Sequence, residues 1–436
     1  RHIYHLHGPN APAGQSWVIR DPSGGTSTAD NYTWISPGIP EASWWTRRAI
    51  MHIVKNYDID GLHFDRIRCP GPNYSYDPVT VARFNGEGNP DNLGWADFMR
   101  SQITRDLRNI YGEAMLYKPH LKISAAPFGI VYKDSTTSYQ GNGTQSYHQW
   151  YQDSWGWMQT HVVDFMVPQI YWEVGSAHPF EALLADWKAR AVGRFVVAGS
   201  TTNAGAKSVS ALLAEQNQTR VQNVAGHCIF SWSSLSGYLS ALKSGPYAQP
   251  AAVPAMPWKT SPTTGYIVGW VKDSSGITLT DARVTRNGDS YKYLSAFDGL
   301  FSMLDVPTGT YTITATRDGY NTDTASVSVS AGAVSTVNLV MTKQTPDVVV
   351  DNTAATFSGS WSTGTSSQDK WGGNYRFANS GSGATATFDA SLPQAGNYEV
   401  LVWHPQGSNR SNNVPVTVHH ATGTASYTVD QQVNGG

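Results

Sequence analysis

Apolar residues recur with a helical period over Pro40–Asp58, at Trp45, Ala49, Ile50, Ile53, Val54 and Tyr57. The residues that follow, Ile59-Asp-Gly-Leu-His-Phe-Asp65, read as a short strand. A second helix is predicted from Asp91, a suitable N-cap, through Trp95, Phe98, Met99, Ile103, Leu107 and Ile110. Strands are then expected at 121–127 and 162–172. A helix over Phe180–Ala191 precedes a strand at 195–199, and a helix over 208–223 precedes a last strand at 226–232. With His2–His7 this makes six strands alternating with helices, the pattern of a parallel sheet covered by helices. A closed β/α barrel needs eight strands, so the first two units are expected to lie before Arg1.

Beyond residue 247 the pattern changes. Of the 16 Trp, 11 lie before residue 248, and so do 10 of the 13 His. Residues 248–264 are proline-rich and almost uncharged, and read as an extended linker. Residues 265–343 alternate cleanly at 265–271, 309–316 and 325–330, and carry the turn dipeptides Asn287-Gly288 and Asp298-Gly299. That predicts a β-sandwich of about seven strands. Residues 347–436 are also all-β, with alternation at 384–388, 398–403, 414–418 and 425–429; the absence of a closing strand reads as a truncated C-terminus. The fold class is therefore multidomain: an N-terminally truncated β/α barrel over 1–247, the linker, then two all-β sandwiches.

Composition narrows the function. Only 14% of residues are charged, against about 25% in an ordinary globular domain. Aromatics reach 12%, and the net charge is −2. No basic stripe points to nucleic acid, and no apolar run is long enough for membrane insertion. Abundant Trp, Tyr, Asn, Ser, Thr and Gly with few charges suit a secreted protein that handles sugars. Two cysteines, Cys69 and Cys228, cannot form a disulfide framework, and a bridge between them is not expected. Sequons at Asn31, Asn73, Asn142, Asn217 and Asn409 are short matches that arise readily by chance.

In the strand before Arg66, His63 and Asp65 share one face, and Leu62 and Phe64 the other. Asp65 ends its strand, where the catalytic groups of β/α barrels sit. A carboxylate there can serve as nucleophile or base toward a sugar, or it can pair structurally with Arg66 or Arg68. Glycoside hydrolysis asks for a second carboxyl, and Glu173 is the candidate, on one face with Val167, Gln169 and Tyr171. Asp164 lies at the opposite, stabilising end of its strand. Substrate contacts are expected from His63, His5, His7, Arg66 and Gln169, and from the aromatics Tyr171, Trp172 and Trp232, whose faces can stack on sugar rings. The alternative fate of each is core packing. A metal site built from His5, His7, His63 and Asp65 is a rival reading, but later strands supply no further ligands, so neither metal nor cofactor is expected.

The stretch Gly61-Leu-His-Phe-Asp-Arg-Ile-Arg-Cys-Pro-Gly71, with Tyr74-Ser-Tyr-Asp-Pro78, Ala82-Arg-Phe84, Trp17-Val-Ile-Arg-Asp21 and 162–172, resembles the glycosyl-hydrolase-like 10 family. The resemblance implies a secreted bacterial TIM-barrel glycosidase in which Asp65 ends barrel strand four as an active-site carboxylate. Cys69 departs from the aromatic expected there. Gly269-Trp-Val-Lys-Asp-Ser-Ser-Gly276, Asp298-Gly-Leu-Phe301, Pro307-Thr-Gly-Thr-Tyr311 and Gly319-Tyr320 resemble a carboxypeptidase regulatory-like domain, a spacer sandwich. Gly359-Ser-Trp-Ser-Thr-Gly364, Tyr375-Arg376, 398–403 and Ser408-Asn-Arg410 resemble the golvesin/xanthan-lyase carbohydrate-binding-like domain. That resemblance implies polysaccharide contacts among Trp361, Trp371, Tyr375, Trp403 and Arg410. The expected function is extracellular hydrolysis of a polysaccharide or oligosaccharide; the alternatives are a non-catalytic polysaccharide-binding protein with a degenerate barrel and a metal-dependent hydrolase.

Overall fold

Five strands lie side by side in chain order: β1 (Gly61–Asp65), β2 (Lys122–Ala126), β3 (Phe165–Met166), β4 (Phe195–Thr201) and β5 (Gly226–Phe230). All four neighbouring pairs are parallel. The computed structural model describes residues 16–26, 28, 32–203, 207–344, 347–393, 398–433 and 435. The strand expected at His2–His7, with His5 and His7, lies outside them. The helix Pro40–Asn56 precedes β1, and Trp95–Tyr117, Phe180–Ala189 and Val209–Val221 fill connections between strands. A strand order without reversal has no switch point, so the carboxyl ends of β1–β5 share one edge, as in a β/α-barrel segment.

The periodicity places most elements within two residues of their observed ends. Two differ. The helix expected from Asp91 starts at Trp95 with Gly94 as N-cap, because Asn89 and Asn92 form a turn just before it and Asp91 pairs with Lys292 instead. The long strand 162–172 is reduced to Phe165–Met166. Pro168 has no N–H to give to the ladder, yet Gln169 resumes bridging to both Phe128 and Gly199.

Register decides the faces. Paired residues of parallel strands point the same way, so Leu62, Ile123, Ala125 and Phe64 share the helix-covered face. There Ala125, Met166, Val196 and Ala198 join Phe98, Leu107, Trp157, Leu184 and Trp187 in one buried core. Trp155 and Trp157 belong to that core.

The sandwich has seven strands, as its alternation predicts. One sheet runs β12 (Val334–Met341), β6 (Thr264–Asp273), β9 (Leu300–Pro307). The other runs β11 (Asp323–Val329), β10 (Gly309–Thr316), β7 (Arg283–Arg286), β8 (Tyr293–Leu294). Ile267, Val271, Phe301, Met303, Ile313 and Leu339 seal its core.

The sandwich and the parallel sheet form one compact unit that ends at Lys343; a second begins at Gln344. Helix Trp95–Tyr117 explains the union. It buries Arg105 and Arg108 as well as its apolar stripe, because the sandwich covers that side of it. Gly112 permits that approach, since a Cβ there would come within 2.3 Å of Ser302 Oγ. Arg83 grips Asp281 with two bonds of 2.6 Å, and Arg105 reaches the same carboxylate at 3.3 Å. Arg47 bridges Glu113 at 2.7 Å and Asp298 at 2.5 Å. Arg194 and His161 share Asp305. At the centre of the contact the sheet domain supplies the cations and the sandwich most of the anions, whereas Lys292 and Arg317 of the sandwich pair with Asp91 and Glu87. Of the proline-rich stretch 248–264, residues 248–255 are exposed without regular structure, whereas Trp258 Nε1 donates to Asp164 at 2.6 Å and Lys259 lies 3.6 Å from the same side chain.

The second unit holds three antiparallel ribbons: β13 (Thr356–Ser358) with β16 (Thr385–Thr387), β14 (Ser362–Gly364) with β15 (Tyr375–Phe377), and β17 (Val414–His420) with β18 (Gly423–Val429). The strand expected at 398–403 does not form. No other strand pairs with it, and Val400, Leu401 and Val402 are exposed. Among the described residues no helix is long and apolar enough to cross a membrane.

Candidate active site at the strand ends

Asp65 is the last residue of β1, on the face opposite Leu62 and Phe64. The chain turns at once, with Arg66 in the left-handed region at φ 56°. That turn swings the Arg66 amide back onto its own neighbour, where it donates to Asp65 Oδ1 at 2.8 Å. Gln169 Nε2, from the bridge beyond β3, donates to the same oxygen at 3.0 Å. Oδ2 has no hydrogen-bond partner among the described residues. A carboxylate held through one oxygen and open at the other is arranged to attack a carbon or to activate water.

His63 lies two residues earlier on the same exposed face. The Ser124 hydroxyl donates to Leu62 O at 3.2 Å and meets His63 Nδ1 at 2.8 Å. With its one proton on the carbonyl, the hydroxyl accepts from Nδ1–H, leaving Nε2 as the acceptor of a neutral ring. Partial burial, only partly offset by the Asp65 charge, holds the His63 pKa below its ordinary value. The ring is therefore neutral near pH 7 and suited to accept from a sugar hydroxyl.

Tyr171 stands next to Asp65. Burial first, then the charges of Asp65 and Cys228, push its phenol up to about 12, so it remains a donor throughout the physiological range. Its ring lies nearly parallel to Phe230, 12° between planes and 6.3 Å between centroids. Phe230 is 52% exposed and Trp232 79% exposed. Tyr171, Phe230 and Trp232 thus line the strand-end edge with aromatic surface. Phe230 is absent from the sequence-based candidates, although alternation of Cys228, Phe230 and Trp232 from β5 was there to read.

Other expected residues fall elsewhere. Trp172 turns away from Tyr171 and packs on Phe128 and His178, at 5.7 Å and 5.0 Å between centroids. The Arg66 guanidinium lies over the Tyr32 ring at 4.1 Å, so it is the amide of Arg66 that meets Asp65. Glu173 is half-buried, and no hydrogen bond joins it to Asp65. Its charge acts instead on Glu215, a fully buried carboxyl that burial, with Glu173 adding to it, raises above the ordinary value despite bonds from Lys207 and Ser200. Asp164 is a structural hub: it accepts from Tyr111 OH at 2.8 Å, Ile123 N at 2.7 Å and Trp258 Nε1 at 2.6 Å. Cys69 is buried, its thiol pushed up to about 12 by burial; Cys69 and Cys228 are both free. Among the described residues no group of three metal-ligating side chains occurs.

In the second unit Trp371 and Trp403 meet edge to face at 5.2 Å, 46% and 52% exposed. Trp403 Nε1 donates to Asp369 O at 3.0 Å. The Arg410 guanidinium lies 5.6 Å over the Tyr375 ring. Trp361 packs against Phe357 at 5.0 Å.

Residues 14–217 match the family model described as Glycosyl hydrolase-like 10. Residues 266–342 match the Carboxypeptidase regulatory-like domain, and 348–436 the Golvesin C-terminal domain. Glycosyl hydrolase YngK of Bacillus subtilis is 27% identical over 271 residues, covering 57% of this chain and 53% of that protein. Glycosyl hydrolase DigH of Escherichia coli K12 is 25% identical over 166 residues, 36% of each chain. Xanthan lyase of a Bacillus species is 42% identical over 96 residues, 21% of this chain and 10% of that one. The chain spans about half the length of YngK and about a third of DigH. In order, then, its residues match the models of a glycosyl hydrolase-like 10 domain, a carboxypeptidase regulatory-like domain and a golvesin C-terminal domain.

Proposed function

We propose that the protein is an extracellular glycoside hydrolase acting on a polysaccharide or oligosaccharide, with Asp65 as its catalytic carboxylate. The five parallel strands are then the later strands of an eightfold β/α barrel. The observation that carries the reading is the Asp65 carboxylate itself: at a strand end, fixed through Oδ1, open at Oδ2, and bordered by His63 and Tyr171. His63 Nε2 accepts a sugar hydroxyl, Tyr171 donates one hydrogen bond, and Tyr171, Phe230 and Trp232 offer ring faces. Trp371, Trp403, Tyr375 and Arg410 hold the polysaccharide. Glu173 is the proposed second carboxyl. Relatives named glycosyl hydrolases support the class.

One observation favours a second reading. Among the described residues no second carboxyl is bonded to Asp65, which suits a degenerate barrel that binds sugar without cleaving it. Reducing-end release from a panel of polysaccharides, wild type beside Asp65→Asn, separates the two. The hydrolase reading expects release that falls roughly 10²–10⁴-fold in the variant, with polysaccharide binding kept. Equal release by both proteins removes Asp65 from the chemistry, and binding without any release establishes the second reading.

A further inference from the structure

We infer that Gln169 is a positioning residue for Asp65, an inference that rests on the role proposed for Asp65. A side-chain amide has two N–H donors. Gln169 directs Nε2 at Ala126 O, 3.1 Å away, and at Asp65 Oδ1, 3.0 Å away. Both targets are acceptors only, so the amide orientation follows from chemistry, and no donor is left for a substrate hydroxyl.

The amide is also anchored from behind. Gln169 N donates to Pro127 O at 2.8 Å, and its backbone bridges Phe128 on one side and Gly199 on the other. The residue is therefore pinned between the continuations of β2 and β4, and its side chain reaches across the end of β2 to β1. With Arg66 N at 2.8 Å, it fills both lone-pair directions of Oδ1. The free Oδ2 becomes the reacting oxygen. Two donors on a carboxylate favour its ionised form, which is the form a nucleophile or base must hold. The register of β3 with both neighbours continues through Pro168, so Gln169 keeps the ladder position and the face that Phe165 sets.

The test uses the full chain with Gln169→Met, which keeps the stem but removes both donors, and Gln169→Glu, which places a second carboxyl beside Asp65. Two measurements are made: steady-state kinetics, and the ¹³C chemical shift of the Asp65 carboxyl at pH 7, assigned by its loss in Asp65→Asn. Positioning predicts that Gln169→Met lowers kcat roughly 10-fold to 100-fold with KM little changed. It also predicts that the Asp65 carboxyl resonance moves in both variants. A rise in KM with kcat unchanged would make Gln169 a substrate contact and overturn the inference. So would an Asp65 resonance identical in wild type and both variants. Should the wild type cleave no sugar, the proposed function falls, while the resonance still decides whether Gln169 holds Asp65.

Discussion

The two β-rich parts that follow the parallel sheet use the same residue types in opposite ways. The sandwich of 264–341 turns its alternating apolar residues inward and closes a core of Val, Ile, Leu, Met and Phe. Its acidic residues then reach outward to arginines of the neighbouring domain. In the unit that starts at Gln344, His404 alone among the described residues is fully buried, at 7% exposure. Trp371 and Trp403 stand half-exposed as a pair. Apolar area removed from water stabilises by about 25 cal/mol per Å², so aromatics left at the surface forgo that contribution and remain available to a ligand.

Asp281→Ala should break this comparison most sharply. It leaves Arg83 and Arg105 side by side in a buried contact without their counter-charge, at a cost of about 3–5 kcal/mol. Denaturant unfolding should show the loss in the sheet domain and sandwich together; a shift confined to the sandwich would contradict their union. Acid reports on the same carboxylate. Burial alone would raise the Asp281 pKa, but Arg83 and Arg105 outweigh it and hold it below the ordinary range. Its stabilisation is thus complete above the unfolded carboxylate value, about 3.9, and lost as pH falls through the folded one. Asp281→Asn should flatten that acid limb.

His227 provides the next largest effect, with a different pH window. Burial first, then the Lys207 charge, depress it from 6.5 to about 4. Its neutral ring is held by Ser200 Oγ and Tyr247 OH, each at 2.8 Å. The unfolded chain binds the proton first, so stability is full above pH 6.5 and falls on acidification toward 4, by at most about 1.4 kcal/mol per pH unit. Thermal melts of His227→Gln between pH 7 and 4 should lack that slope.

Trp403→Ala or Trp371→Ala should weaken polysaccharide retention by about 1 kcal/mol, roughly 5-fold, in affinity electrophoresis. Cleavage of a small soluble substrate should stay unchanged, which would confirm that the exposed pair serves binding alone. The smallest effect is expected at the rim of the sandwich contact, where Lys292→Ala removes a partly exposed pair with Asp91. Its cost should be under about 1 kcal/mol; a larger loss in a melt would mean that the rim and the Asp281 centre act as one network.

Alternation and helical period sufficed for the order of the elements, for the faces of Leu62 and Phe64 against His63 and Asp65, and for the seven-stranded sandwich, because each depends on residues close in the chain. Motif residues also led to Asp65, since a carboxylate at a strand end is a local feature. What lies across strands was not legible there. The Gln169 bond to Asp65 spans 104 positions, the Arg83 grip on Asp281 spans 198, and the pairing of Tyr171 with Phe230 joins two strands that are not neighbours in the sheet. Trp172 and Tyr171 are adjacent and chemically alike, yet one faces the strand ends and the other packs on Phe128 and His178. Local pattern determines what each segment becomes, because backbone hydrogen bonding and side-chain period act within a few residues. Which side chains meet, and so which carboxylate is held and which tryptophan stays exposed, is decided only when distant segments close on one another and water is excluded between them.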